Sequence, residues 1–79
     1  MRYVYILRST SYPDRYYVGI TDDLRARLKK HNAGDVPHTF KFIPWRIKTY
    51  IAFSHDANAF AFEKYLKSPS GRAFAKKRL

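Results

Sequence analysis

Residues 3–7, Tyr-Val-Tyr-Ile-Leu, run without a polar break, the pattern of a short strand covered on both faces; the strand is placed at residues 2–8. Ser9 to Asp14, with Pro13-Asp14, reads as a turn, and Arg15 to Thr21 reads as a second strand. So short a link favours an antiparallel hairpin. Thr21-Asp22-Asp23 supplies an N-cap and two carboxylates that complement a helix dipole. The helix runs through Leu24, Leu28 and His31, and Gly34 stands where a glycine would end it.

Asp35 to Pro44 is expected to be a loop, because Pro37 and Pro44 both oppose regular structure. Arg46 to Ser54 reads as a third strand, with Ile47, Thr49, Ile51 and Phe53 alternating against Lys48, Tyr50 and Ala52. Asp56 can cap a second helix, from Ala57 to about Lys67, whose apolar stripe is Ala59, Phe62 and Leu66. Ser68-Pro69 then offers a cap and a proline at the first position of a short third helix.

A chain of 79 residues allows a single domain, residues 1–79. Its 46% hydrophobic content can build only a small core, and with no cysteine there is neither a disulfide nor a thiolate metal site to staple it. Seven Tyr, six Phe and one Trp are left to supply dense packing. No stretch approaches the roughly 18 apolar residues of a membrane span, and the apolar centre of the N-terminus is too short for a signal peptide. These features lead to the expectation of a soluble, cytoplasmic protein without membrane partners.

Sixteen Lys and Arg against six Asp and Glu give a formal charge of +10. A charge so one-sided points to a polyanion, foremost nucleic acid. At about 100° per residue, Leu24 and Leu28 define the buried stripe of the first helix and Arg27 lies beside it. His31, four residues on, neighbours Arg27 at the margin of the core. Glu63 flanks the stripe of the second helix; its simplest role is a surface pair with Lys67, also four residues on. His31 alone could be a cation near a helix C-terminus. Tyr5 and Tyr17 alone could be core aromatics.

As an ordered set, Tyr3-Val4-Tyr5, Tyr17-Val18-Gly19, Arg27-Leu28, His31-Asn32 and Glu63 resemble the GIY-YIG nuclease family, especially its small stand-alone bacterial members. The resemblance covers nearly the whole chain. Tyr3 occupies the glycine position of the first motif, and Tyr5 keeps its functional tyrosine. Arg27 falls where the family places its arginine, and His31 matches a histidine of some branches. The family asparagine that follows the glutamate has no counterpart, since that region reads Phe74-Ala75-Lys76-Lys77-Arg78 and the only asparagines are Asn32 and Asn58.

The resemblance implies an α+β fold, a three-stranded antiparallel sheet flanked by two to three helices. It implies a metal-dependent endonuclease that hydrolyses phosphodiester bonds in nucleic acid, DNA ahead of RNA, directed by structure rather than sequence, as in DNA repair. Tyr5, Tyr17, Arg27, His31 and Glu63 are its expected catalytic residues, with Glu63 the ligand of Mg²⁺ or Mn²⁺ and no small-molecule cofactor. Tyr5 or Tyr17 would orient or deprotonate the attacking water, with Arg27 and the metal favouring phenolate and His31 taking the proton onward. Glu63 should then face Arg27 across a basic groove, with both phenols beside it and Lys76 near the missing asparagine. Lys29, Lys30, Lys41, Lys48, Arg72, Lys76, Lys77 and Arg78 are candidates for phosphate contacts. The competing expectation is a non-catalytic nucleic-acid-binding module that keeps the fold, for which the missing asparagine argues.

Overall fold

The apolar run of the first strand, β1 (Arg2–Ser9), has to be covered on both faces, and that requirement places it at the centre of the sheet. The computed structural model describes residues 1–79. β2 (Tyr16–Thr21) and β3 (Trp45–Phe53) flank β1 in the order β2-β1-β3, both antiparallel to it. Two helices, α2 (Asp56–Leu66) and α3 (Pro69–Arg78), follow β3, and α1 (Leu24–Asn32) joins β2 to the segment that leads into β3. No helix is long and apolar enough to cross a membrane.

The alternation of β1 divides the core into two halves. Val4 and Ile6 pack with Ala59 and Leu66 of α2, and with Phe62 and Phe74 around them. Tyr5 and Leu7 pack on the opposite face with Trp45, Leu24, Leu28 and Phe42. Each large apolar side chain so buried stabilises the fold by about 1.5–3 kcal/mol, and β1 contributes four consecutive buried residues.

β3 departs from the simple alternation read from its sequence. Tyr5 pairs with Tyr50 and Ile6 with Thr49, but Leu7 pairs with Ile47, so Lys48 is an extra residue in a β-bulge. The bulge moves Ile47 to the Tyr5 and Leu7 face, whereas Phe53 packs with Val4 and Ile6. Four residues that looked like one face therefore serve both. A strand with two covered faces on its neighbour gains from such a switch.

The caps also correct the reading in detail. Asp23, not Thr21, caps α1, its carboxylate accepting from the Ala26 N–H. Thr21 Oγ1 instead accepts from the Asp23 N–H. Gly34 closes α1 with φ of 83°; its N–H donates to the His31 carbonyl and the Asp35 N–H to the Lys30 carbonyl, a Schellman motif. α2 begins with His55 in the cap position, and Asp56 lies in the first turn, where its carboxylate pairs with Arg2 at 3.2 Å. Ser68 does cap α3, accepting from the Gly71 N–H. The 35–44 segment contains a 3-10 turn, Phe40–Phe42, and buries Val36 and Thr39.

Gly71 lets α3 start hard against the end of α2: a Cβ there would collide with the Tyr65 carbonyl and lie 2.6 Å from the Leu66 Cα. Alanine is the better helix former by about 1 kcal/mol, so helix propensity alone would make Gly71→Ala stabilising. The backbone collision reverses the sign, for a net loss of about 1–3 kcal/mol. In a domain this size each kcal/mol lowers Tm by about 4–8 °C. A thermal melt of Gly71→Ala with Tm unchanged or raised would show that the α2–α3 corner is not closed this tightly.

Candidate active site

Tyr5 and Gly19 are direct partners across β1 and β2, and their pairing builds the site. A Cβ on Gly19 would overlap the Tyr5 hydroxyl, so the phenol fills the space that a side chain on β2 would take. Tyr5 is thereby buried, and its hydroxyl meets two groups from α1. His31 Nε2 lies 3.0 Å away, and Arg27 Nε donates to the phenol oxygen at 3.4 Å. One helical turn separates Arg27 from His31, which is why both reach the same hydroxyl.

His31 is completely buried, and its other nitrogen, Nδ1, is 2.8 Å from Thr39 Oγ1. Thr39 Oγ1 donates to the Val36 carbonyl at 3.4 Å, and the Thr39 carbonyl accepts from Trp45 Nε1 at 2.8 Å. Arg27 can only donate, so the Tyr5 proton is directed to His31 Nε2, and His31 Nδ1–H donates to Thr39. The tautomer follows from the network. Burial, reinforced by the Arg27 charge, lowers the His31 pKa to about 4. Burial likewise raises the Tyr5 pKa, outweighing the hydrogen bond and charge of Arg27, which lower it.

Both groups are therefore neutral near pH 7. Arg27 alone thus does not make Tyr5 a phenolate: the desolvation of a buried phenol exceeds the help from one guanidinium. The neutral imidazole also removes the reading of His31 as a helix C-terminal cation. Thr39 and Trp45, which complete this network, were not legible, because the segment that carries them showed only its prolines.

Tyr17 stands beside this pair, with its ring centroid 5.1 Å from that of His31 and 6.4 Å from that of Tyr5. It is only half-buried and lines an open groove. Arg27 is half-buried and makes no ion pair; its protein hydrogen bond is the one through Nε. Its terminal nitrogens can therefore take an incoming anion. Tyr5, Tyr17, Arg27 and His31 are thus brought together.

Glu63 is placed differently. Its carboxylate pairs with Lys67 at 2.9 Å and makes no direct contact with Arg27. Its side chain is 19% exposed, and its charge is close enough to help raise the Tyr5 pKa. An i,i+4 pair of this kind is worth only about 0.3–0.5 kcal/mol, so Lys67, half exposed, does not lock the carboxylate. No cluster of three or more His, Asp or Glu side chains is present. The carboxylate nearest the Tyr5–Arg27 pair is single, which suits a hard divalent cation that completes its shell with water and phosphate oxygens. His31 is not available as a ligand, since both its nitrogens are engaged.

The groove of about 1040 Å³ runs between β2 and the α2–α3 corner, with Lys67 and Lys76 on its wall. Of the expected phosphate contacts, Lys48, Arg72 and Lys76 line it, joined by Arg8 and Arg15, which the sequence pattern did not single out. Lys29 lies elsewhere, in a shallow depression on the outer side of α1 with Arg25. Lys30, Lys41, Lys77 and Arg78 are exposed and outside the groove.

Residues 1–78 are matched by the family model for the GIY-YIG catalytic domain. A similar protein of Giardia intestinalis, a structure-specific endonuclease subunit SLX1 homolog, is 32% identical over 65 residues. The aligned part is 77% of this chain and 18% of that protein, so this chain spans under a fifth of the relative's length. Among solved structures, the solution NMR structure of the UPF0213 protein BH0048 from Bacillus halodurans is similar with a TM-score of 0.57 and 32% identity. The likeness covers 96% of this chain and 81% of that one.

The neutral His31 has a consequence for stability. Its folded pKa, about 4, lies below the ordinary unfolded value of 6.5, so between those values the unfolded chain binds the extra proton. The contribution is complete above about pH 6.5 and is lost as the pH falls toward 4. At 1.36 kcal/mol per pKa unit the loss is about 3 kcal/mol. Urea midpoints measured across this range should fall with acid in the wild type and flatten in His31→Gln. An NMR titration placing His31 near 6.5 would contradict the network.

Proposed function

We propose, from the premise that this chain belongs to the GIY-YIG family, that it is an endonuclease hydrolysing phosphodiester bonds in DNA with Mg²⁺ or Mn²⁺. The observation that carries this reading is the convergence of Arg27 and Tyr17 on the Tyr5–His31 pair, with Tyr17 also lining a basic groove and Arg27 free of any carboxylate. A structural role for Arg27 would call for a counter-ion. A guanidinium held by one nitrogen, with its fork open, suits the non-bridging oxygens of a phosphodiester.

Each residue takes a distinct task. Tyr5 is a positioning residue: it receives the Arg27 Nε hydrogen bond and fixes the direction of the guanidinium. His31 holds the Tyr5 proton and so keeps its oxygen turned toward Arg27. Arg27 binds the phosphate and neutralises charge that develops on it. Tyr17, the accessible phenol, orients the attacking water. As that water's oxygen bonds to phosphorus, the bond to the 3′ oxygen breaks, the water giving up a proton to solvent and the departing 3′ oxygen taking one up to leave as a hydroxyl. Glu63 would hold the divalent ion, which supplies Lewis-acid stabilisation of the developing charge. Lys76, on the groove wall, takes over phosphate contact where the family carries asparagine.

The basic groove has no element for reading base edges, which favours recognition by structure over sequence. The name of the Giardia relative, a structure-specific endonuclease subunit, supports the same reading. A place in DNA repair within the cytoplasm accords with it. A second reading, a binding module without cleavage, is favoured by two observations: Tyr5 is sealed from solvent and Glu63 is engaged with Lys67.

Cleavage of branched, nicked and single-stranded DNA in Mg²⁺ or Mn²⁺ decides between them. The wild type should cut at least one of these, and Glu63→Gln should lose at least about 10³-fold in rate while still binding. Arg27→Ala should lose about 10²–10³-fold, as for removal of one charge-stabilising donor. Tyr17→Phe should fall further than Lys30→Ala. Wild-type rates in Glu63→Gln would remove the carboxylate from the mechanism. No cleavage of any substrate by the wild type would leave the binding module.

A further inference from the structure

Tyr16 precedes the Tyr17 of the site on the edge strand β2, and consecutive residues on a strand face opposite sides. Tyr17 faces α1 and His31, whereas Tyr16 lies on the α2–α3 side, where it lines the groove. The cross-strand partner of Tyr16 is Arg8, whose guanidinium carbon is 5.6 Å from the Tyr16 ring centroid. Lys48 Nζ lies 5.3 Å from the same centroid. Lys48 is the extra residue of the β3 bulge, so the bulge brings this amine to the ring.

Arg8 is held by a hydrogen bond from its Nε to the Pro13 carbonyl at 2.8 Å, and neither cation has a carboxylate partner. Arg8 reaches the ring from the adjacent strand β1 and Lys48 from β3 beyond it, and half of Tyr16 remains exposed. Six cations but only one carboxylate, Asp14, line the groove. An exposed aromatic ring between cations in such a groove has the chemistry of a single-stranded nucleic-acid platform, on which a base stacks while its phosphates meet the cations.

We propose that Tyr16, with Arg8 and Lys48, stacks a base of an unpaired strand, and that this strand crosses the β2 edge to the phosphate held at Arg27 and Tyr17. The second half of this statement rests on the nuclease reading; the stacking itself does not. The substrate class it selects is a junction or flap with at least one unpaired nucleotide beside the cut, rather than uninterrupted duplex. One residue of β2 separates stacking from chemistry. Base contact and phosphate contact are therefore coupled through a rigid edge.

The test uses binding without cleavage, in the Glu63→Gln chain with a metal chelator present. Its probes are a short oligothymidylate and an abasic oligomer of the same length. The chain should favour the thymidylate by about tenfold, the scale of one stacked base. Tyr16→Ala should bring the two oligomers level, Tyr16→Phe should retain the preference, and Lys48→Ala should lower the log–log salt slope by about 0.7. Tyr16 is half exposed, and a thermal melt confirms that each variant is folded. Equal binding of both oligomers by the parent chain, or an undiminished preference in folded Tyr16→Ala, would overturn the platform. Wild-type cleavage of a branched duplex is followed separately. Cleavage without base preference would remove the platform and leave the nuclease. Base preference without cleavage would keep the platform as a binding site and remove the nuclease.

Discussion

The insertion of the Tyr5 phenol into the space left by Gly19 is the constraint on which the rest of the structure depends. The two residues face each other across β1 and β2, and only a residue without a side chain can stand opposite a phenol seated so closely. Once the phenol lies there, its hydroxyl is buried and must be satisfied, because a lone buried hydroxyl costs about 1–3 kcal/mol. His31 and Arg27 supply the partners, and both come from α1. The position of α1 against the sheet is thus set by a polar contact as well as by Leu24 and Leu28. His31 in turn needs a partner for Nδ1, which Thr39 provides, and the Thr39 carbonyl takes the Trp45 indole proton. Every buried side-chain polar atom in the molecule has a partner. The site and the second half of the core are one network.

That network explains how so small a chain holds a guanidinium in place without a carboxylate. A charged partner for Arg27 would fix it firmly, but would also cancel the charge that the proposed phosphate contact would use. A phenol gives direction without neutralisation. Asn32 strengthens the same corner: its side chain accepts from the Trp45 N–H at 2.6 Å and donates to the Trp45 carbonyl at 2.9 Å, joining the end of α1 to the start of β3. Arg27 thus projects from a helix fixed at its N-terminus by Asp23 and at its C-terminus by Asn32 and Gly34.

The elements of the fold were legible because each announces itself locally: the unbroken run of β1, the capped stripes of the helices, the Ser68-Pro69 start of α3. That Arg27 and His31 neighbour each other was legible through helical spacing, and their meeting with Tyr5 through the family resemblance. Three things were not. The bulge at Lys48 leaves the alternation of β3 intact in the sequence and changes only which face each residue meets, so it can be known only from its partner strand. The 35–44 segment looks like a loop because prolines dominate it, yet Val36 and Thr39 are buried by long-range packing. The protonation of Tyr5 and His31 depends on desolvation, which spacing does not report. Sequence order brought Tyr5, Arg27 and His31 to one place but not Glu63, which pairs with Lys67, and burial decided what state Tyr5 and His31 are in.

The excess positive charge bears on stability as well as on recognition. With a formal charge of +10 and only two ion pairs, Arg2–Asp56 and Lys67–Glu63, most of the cations repel one another without relief. The cost concentrates where they crowd, along the groove, where six cations face the single carboxylate of Asp14. A phosphate chain laid there, as proposed, would relieve the repulsion at the same positions that would gain by binding it. Folding and the proposed nucleic-acid binding would then be coupled through one set of charges. Because that repulsion is screened by salt just as the binding is, added salt should favour the free fold while it weakens the complex. The crowding of cations along the groove therefore bears on the fold as well as on the proposed binding, and Arg27, held by a neutral phenol and without a carboxylate partner, adds to the same unrelieved charge.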